Sequence, residues 1–447
     1  MSRTVSVIGA GLAGCEAAWQ LAEKGVKVKL YEMKPGKMTP AHVSPDFAEL
    51  VCSNSFRSDD LTNAVGLLKE EMRRLGSLIL QSADETKIPA GGALAVDRES
   101  FAGYVTERIR NHPFIEIYNK DMADIPEGIV IIATGPLTSE KLTAKLTSFL
   151  PDERMLSFYD SAAPIVTFES IDINYAYYAS RYDKGDADYL NCPMDKEQYR
   201  AFHKALISAE KAPAHGFEEK LVFEGCIPIE VMAKRGEDTI RYGPLKPVGL
   251  VDPKTGQEPY AVVQLRKDNT DGTLYNLVGF QTHLKFFEQK RVFSMIPALR
   301  NADIVRYGVM HRNTYLDSPK LLDRFYRLKQ NSRIRFAGQI TGVEGYVESA
   351  ASGLLSGLET AHELLDIPPF DFPKETAIGA LAIYISTGSI SDFQPMNVNF
   401  GIIAPLEIKI KEKRNRNLAI SKRSLKLIEN IVEGDHQNEN NRGCNGR

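Results

Sequence analysis

The residues that most constrain the fold lie at the start of the chain. "TVSVIGAGLAGCEAAWQLAEKGVKVKLYEMK" (4–34) reads as strand, turn, helix, strand. Val5, Val7 and Ile8 make a short buried strand, and Gly9, Gly11 and Gly14 fit G-x-G-x-x-G. Ala17, Ala18, Leu21 and Ala22 recur at helical spacing, Gly25 ends the helix, and "VKVKLYE" alternates as a second strand that closes on Glu32. Each position has a physical task. Gly9 permits the tight turn, Gly11 lets a pyrophosphate approach the backbone, and Gly14 lets helix and strand pack closely. The helix N-terminus, reached through Ala10, Leu12 and Ala13, stabilises phosphate charge, and Glu32 accepts hydrogen bonds from ribose hydroxyls. A bare G-x-G-x-x-G is a weak signal; in this context, with an acid at this distance, it specifies a dinucleotide site.

Two further segments select among dinucleotides. "GIVIIATGPLT" is a buried strand, Ile129 to Ala133, ending in Thr134 and Gly135. Far downstream, "RIRFAGQITGVEGYVESAASGLLSGLETA" repeats the theme of strand, glycine turn and small-residue helix. A nucleotide site split between the beginning and end of a chain is typical of FAD-binding folds with an intervening domain, and a simple NAD dehydrogenase has no need of the late element. The expected cofactor is therefore FAD. Gly338, Gln339, Gly342 and Gly345 are expected beside it, the glycines allowing close approach. The expected fold class is α/β, a Rossmann-like FAD-binding fold with an inserted α+β domain. The expected segments are 1–158 (first part of the FAD-binding domain), 159–312 (inserted substrate domain), 313–432 (second part, with a basic C-terminal helix) and 433–447 (disordered tail).

A chain of 447 residues, 43% hydrophobic and 25% charged, builds a sizeable core as a soluble protein. No apolar run approaches membrane-spanning length, and the opening strand leaves no room for a signal peptide, so a cytoplasmic location without membrane contact is expected. The net charge of −3 gives no global pull toward nucleic acid, so an RNA site has to be a local patch. The five cysteines (Cys15, Cys52, Cys192, Cys226, Cys444) contain no CxxC pair, and no Cys/His cluster has ligand spacing. A disulfide framework, a dithiol mechanism and a metal site are all disfavoured.

Between roughly Tyr159 and Arg312 tyrosines become dense and Pro and Gly punctuate short strands. "EPYAVVQLRKDNTDGTLYNLVGF" reads as a hairpin, because "NTDG" separates two alternating runs. Near the end, Lys409, Lys411, Lys413, Arg414, Arg416, Lys422, Arg423 and Lys426 face few acids. Such a run suits phosphate contacts in RNA; it is also what a solvated helix face carries.

Cys15, just after the third glycine, and Cys192, in "DYLNCPM", read as packing residues, and Cys444 has no assigned role. Cys52 has Arg57 nearby with Ser53, Asn54 and Ser55 as donors; Cys226 precedes Arg235, Arg241 and Lys246. Cationic surroundings favour thiolate, although local sequence alone leaves a structural cysteine equally open. A flavin, an activated thiol and a basic patch fit one chemistry. Uracil C5 becomes nucleophilic only after a thiolate adds to C6, and reduced flavin can supply the hydride that turns a transferred methylene into methyl.

Long motifs support that reading. "ELVCSNSFRSDDLTNAVGLLKEEMRRLGSLI", "PAGGALAVDRESFAGYVT", "EGCIPIEVMAKRGEDTIRYGPLKPVGL", "YGVMHRNTYLDSPKLL", "FAGQITGVEGYVESAASGLLSG" and "FQPMNVNFGI" resemble the folate- and FAD-dependent tRNA uracil-5-methyltransferases (TrmFO), from Val5 to about Ile403. The resemblance implies methylation of the T-loop uridine in the tRNA T-arm. Methylenetetrahydrofolate would give the carbon, the flavin N5 would carry it, and NAD(P)H would reduce the FAD. No obligate protein partner is implied. The family's two functional cysteines fall on Cys226, assigned as the C6 nucleophile, and Cys52, assigned to acid–base work. Phe286-Phe287 stands where a Trp-Gly-like pair is expected, and "YISTGSISDFQPMN" is unusual before the last motif. The competing readings are the same chemistry on a ribosomal uridine, a partner-dependent wobble-uridine enzyme expected to be longer, a small-molecule flavin oxidoreductase, and a non-catalytic RNA-binding flavoprotein.

Overall fold

The computed structural model describes residues 4–39, 41–150, 155–161, 163–183, 186–212, 227–308, 310–388 and 393–445. Two six-stranded sheets organise it. The first runs in the order Arg327–Leu328, Asn331–Phe336, Ile129–Ile132, Thr4–Ile8, Lys27–Glu32, Ile115–Asn119. Its neighbours are parallel except for the short outer pair at Arg327–Leu328. The central strands Thr4–Ile8 and Ile129–Ile132 are buried along nearly their whole length, as strands inside a covered parallel sheet are.

The second sheet is antiparallel throughout and comes entirely from the middle of the chain: Tyr177–Tyr178, Tyr189–Met194, Ala261–Lys267, Leu274–Leu277, Ile165–Thr167, Ile304–Arg306. The hairpin read from "NTDG" is present in it, with Leu265 opposite Leu277 and Lys267 opposite Tyr275, and Gly272 supplies the positive φ of +66° in the turn. The chain leaves for this sheet along Met155–Ser161 and returns along Met310–Leu316, and these two strands pair antiparallel with each other. Each six-stranded sheet has its own core, one around Val7, Ile131 and Phe336, the other around Val263, Leu265 and Phe280.

Glycine sets the packing behind the first sheet. The first helix, Leu12–Glu23, lies against the late helix, Tyr346–Leu364. A Cβ on Gly353 would sit 2.2 Å from the Ala13 carbonyl oxygen, and one on Gly357 2.7 Å from that of Ala17. The small-residue pattern of the late helix is therefore a condition for backbone-to-backbone approach.

The terminal helix, Lys413–Asn445, docks on this face. Asn417 Nδ2 donates to Thr62 O at 3.0 Å and Ser421 Oγ to Leu61 O at 2.7 Å. Ser424 Oγ donates to the buried Glu71, whose carboxyl also accepts the N–H groups of Ala377 and Ile378, the first turn of helix Ala377–Ser386. Burial pushes Glu71 up to about 7 against these donors. Farther along, Asp435 pairs with Lys24 at 2.6 Å and His362 at 3.1 Å. The helix runs on to Asn445, within the 433–447 segment expected to be disordered.

Candidate active site

A cleft opens at the carboxyl ends of the central parallel strands. That is where ligands bind in open α/β sheets. Its lining includes Gly9, Ala10, Gly11, Leu12, Ala13, Glu32, Thr134, Gly135, Gly338 and Gln339, which brings together most of the cofactor residues read from the sequence. Gly338 and Glu32 follow strands three spacings apart in the sheet, roughly 14 Å. A dinucleotide lying across the strand ends spans such a gap.

The local geometry fits FAD. Gly9 has φ +99°, and a Cβ there would meet the Ala133 carbonyl oxygen at 2.6 Å. A Cβ on Gly14 would lie 1.8 Å from the Gly9 carbonyl oxygen, so this glycine is needed for the turn to close on the helix. Gly11 differs: a Cβ there meets nothing within 4 Å, so the missing side chain leaves open space at the helix N-terminus, room that a phosphate group would fit. Glu32 is buried and already oriented, its Oε2 accepting from Ala10 N at 2.7 Å and its Oε1 from Lys34 N at 2.9 Å. Each oxygen keeps a further lone pair for a ribose hydroxyl.

Gly342 and Gly345 do not line the cleft. Gly342 packs under the Phe393 ring, which a Cβ at this position would meet at 2.4 Å, and Gly345 faces Glu348, Arg57 and Asn397. Both have positive φ and shape the turn into the late helix. "FQPMNVNF" supports that turn. Met396 N donates to Gly342 O at 3.3 Å, Glu344 N to Met396 O at 3.0 Å, and Asn397 Nδ2 to Glu344 O at 2.6 Å.

Cys52 stands at the rim. Its neighbour Val51 lines the cleft, as does Tyr346, and Tyr346 Oη accepts the N–H groups of Cys52 at 2.8 Å and Ser53 at 3.1 Å. Burial first, and the Cys52 thiol second, push the Tyr346 hydroxyl well above the usual phenol range. It therefore stays protonated with its own O–H still available to donate.

Sequence proximity makes Arg57 the expected cation for Cys52, but its guanidinium is paired with the buried Glu348 of the late helix. Arg57 itself sits at φ +64°, beside a register shift between Ser55 and Ser58, with its carbonyl held by the buried Lys69. The cations at the Cys52 loop come instead from Arg98, Arg266 and Arg306, far apart in sequence. Sequence reasoning missed them, as it missed Tyr346. Only the hairpin that places Arg266 was visible as local pattern.

Cys226 lies outside the described residues. The segment after it is anchored, with Glu230 accepting from His283 N at 2.8 Å and from Thr282 Oγ at 2.9 Å. Cys15 and Cys192 are buried, the first donating its S–H to Ala10 O at 3.3 Å, and burial raises both thiols. Among the basic residues near the end, Lys409, Lys411, Lys413, Arg414, Arg416 and Lys422 are exposed. Arg423 is different, because it is half-buried and donates to the carbonyls of Ala404 and Pro405. Arg414 lies close enough to Asp60 to lower that carboxyl, after the larger effect of the Thr62 backbone N–H. The basic end of the terminal helix thus adjoins the segment that leads back to Cys52.

Comparison with known proteins agrees with this architecture. A family profile described as "Glucose inhibited division protein A" matches residues 4–368. The "Methylenetetrahydrofolate--tRNA-(uracil-5-)-methyltransferase TrmFO" of Acetivibrio thermocellus is 60% identical over 429 residues, covering 96% of this chain and 98% of that protein. The protein of the same name from Listeria innocua is 58% identical over 433 residues, covering 97% and 100%. Among solved structures, Aquifex aeolicus GidA superposes with a TM-score of 0.69 at 16% identity, covering 96% of this chain and 73% of that one, a likeness of fold. The chain therefore belongs to the methylenetetrahydrofolate–tRNA-(uracil-5-)-methyltransferase (TrmFO) family, within the glucose inhibited division protein A group.

Proposed function

We propose that this chain is an FAD-containing methyltransferase that converts a tRNA uridine, uridine 54 of the T-loop, to 5-methyluridine with methylenetetrahydrofolate as carbon donor and NAD(P)H as reductant. The observation that carries the reading is the placement of Cys52 at the rim of a dinucleotide cleft, tied through its backbone to a tyrosine that lines that cleft. The names and near-complete coverage of the relatives support the reaction class.

The residues divide the work. The Gly9–Gly14 turn and the N-terminus of the first helix hold the cofactor's pyrophosphate, and Glu32 takes the ribose. When bound, FAD supplies the reducing equivalents that bring the transferred carbon to the methyl level. The Cys226 thiolate adds to uracil C6, and C5 of the resulting enolate takes the one-carbon unit from folate. Cys52 removes the C5 proton as the bond between the transferred carbon and its carrier nitrogen breaks; a hydride equivalent from the reductant then turns the exocyclic methylene into methyl, and the resulting enolate expels the Cys226 thiolate from C6 as the double bond re-forms. Tyr346 fixes the Cys52 backbone while these steps run.

Purified protein is incubated with tRNA lacking T-loop methylation, methylenetetrahydrofolate and NADPH, and the digested RNA is read by mass spectrometry. The expected result is 5-methyluridine that disappears when folate is omitted. No product on tRNA, or product indifferent to folate, would overturn the reading.

The exposed basic residues of the terminal helix support RNA contact through phosphates. Converting Lys413, Arg414 and Arg416 to alanine is expected to weaken tRNA binding roughly tenfold at moderate salt. The slope of log K against log salt should flatten by roughly one for each phosphate that is no longer neutralised. Filter binding across a salt series measures both, and an unchanged slope would leave these residues as a solvated face.

A further inference from the structure

The loop that carries Cys52 is held by arginines that come from outside it. Arg266, on strand Ala261–Lys267 of the inserted sheet, is buried, a rare environment for a guanidinium. Its Nε donates to Asn54 Oδ1 at 3.0 Å and its Nη2 to Ser53 Oγ at 2.9 Å. Asn54 is itself fully buried, and its Nδ2 donates to Val96 O at 3.0 Å and Lys267 O at 2.9 Å. Two residues after Arg266, Asp268 grips Arg98 at 2.9 Å, and Arg98 Nη1 donates to Leu50 O. Arg306, on the edge strand Ile304–Arg306, donates to Val51 O at 2.9 Å. With Tyr346 on the N–H groups of Cys52 and Ser53, each residue from Leu50 to Asn54 has a fixed partner.

The same sheet supports the segment that follows Cys226. Ile229 N donates to Gln281 O at 2.8 Å, and Ile229 and Ala233 pack into one core with Val263 and Leu265. The strand that delivers Arg266 to the Cys52 loop thus shares a core with helix Ile229–Lys234.

We propose that Arg266, assisted by Arg98 and Arg306, is a positioning residue that fixes the Cys52 loop to the inserted sheet and thereby sets where Cys52 meets a bound uracil. The inference rests on the proposed role of Cys52 in the reaction. A buried arginine kept only for stability is replaceable by an apolar residue of similar size at little loss. One that positions a loop is not, and lysine, lacking the planar two-point fork, does not substitute for it.

The test uses Arg266→Met and Arg266→Lys, with Ser53→Ala as a milder variant that deletes one partner of the fork and leaves the buried arginine in place. Three quantities are read on full-length, flavin-loaded protein: iodoacetamide labelling of the Cys52 peptide by mass spectrometry, labelling of the buried Cys192 peptide, and kcat and KM for tRNA. Both Arg266 variants are expected to raise Cys52 labelling at least fivefold with Cys192 unchanged. They are expected to lower kcat by roughly 10–100-fold, the scale of a misplaced reacting group, with KM within about twofold. Ser53→Ala is expected to move labelling and kcat the same way by a smaller factor. Unchanged Cys52 labelling in all three variants, or labelling that rises equally at Cys192, would overturn the clamp. Cys52→Ser keeps the two readings apart. If it retains methylation while Cys52 labelling still responds to Arg266, the catalytic assignment of Cys52 fails and the clamp survives.

Discussion

Cys226→Ala protein is expected to purify yellow and to bind tRNA, yet to form 5-methyluridine at least about 10⁴-fold more slowly, the scale seen when a covalent nucleophile is removed. Nothing else on the substrate raises the electron density at uracil C5, so the loss falls on kcat. Cys52→Ala is expected to lose roughly 10²–10⁴-fold, the range for a positioned acid–base group. The two variants also differ in what they accumulate. With the thiolate present and C5 proton removal blocked, the enzyme–uracil bond cannot be released by elimination. Cys52→Ala should therefore build up an RNA–protein adduct that survives denaturing electrophoresis, and Cys226→Ala should not. If the adduct appears in Cys226→Ala instead, the two roles are exchanged. If neither variant loses activity, the thiol mechanism fails.

The second large effect is expected at the phosphate turn. Gly14→Ala places a Cβ 1.8 Å from the Gly9 carbonyl oxygen, backbone that has no freedom to move aside. The first helix must shift, and it is packed closely against the late helix along Gly353 and Gly357. The variant is expected to lose about 3 kcal/mol or more of stability, at the upper end of overpacking effects, and to purify without flavin. Gly11→Ala is the informative control. Its φ of −76° suits alanine, and the added Cβ meets no protein atom. Stability should stay within about 0.5 kcal/mol of the parent while flavin affinity falls, because the methyl occupies space kept for phosphate. Thermal unfolding together with flavin absorbance separates the two. Equal flavin retention in both variants would move the cofactor away from this turn.

The part of the site that the sequence disclosed is the part encoded by local spacing. Gly9, Gly11, Gly14 and Glu32 lie within one strand–helix–strand unit, and their roles follow from turn geometry. The hairpin around "NTDG" was legible for the same reason. The surroundings of Cys52 were not. Asn54 and Arg266 are 212 residues apart, Cys52 and Tyr346 294, and Arg57 and Glu348 291. In each case the nearest residue in sequence misleads: Arg57 stands next to Cys52 but neutralises Glu348, and Gly342 and Gly345 follow the cofactor strand but make room for Phe393 and Glu348.

The paired strands Met155–Ser161 and Met310–Leu316 have an evolutionary consequence. Ser161 lies opposite Met310, so the exit and re-entry points of the middle sheet are adjacent in space although 148 residues separate them. A tight turn joining those two positions would close the nucleotide-binding sheet with every one of its six strands still in order. The architecture is therefore that of a plug-in cassette: the middle sheet enters and leaves through one doorway, so it can be exchanged without rethreading the host.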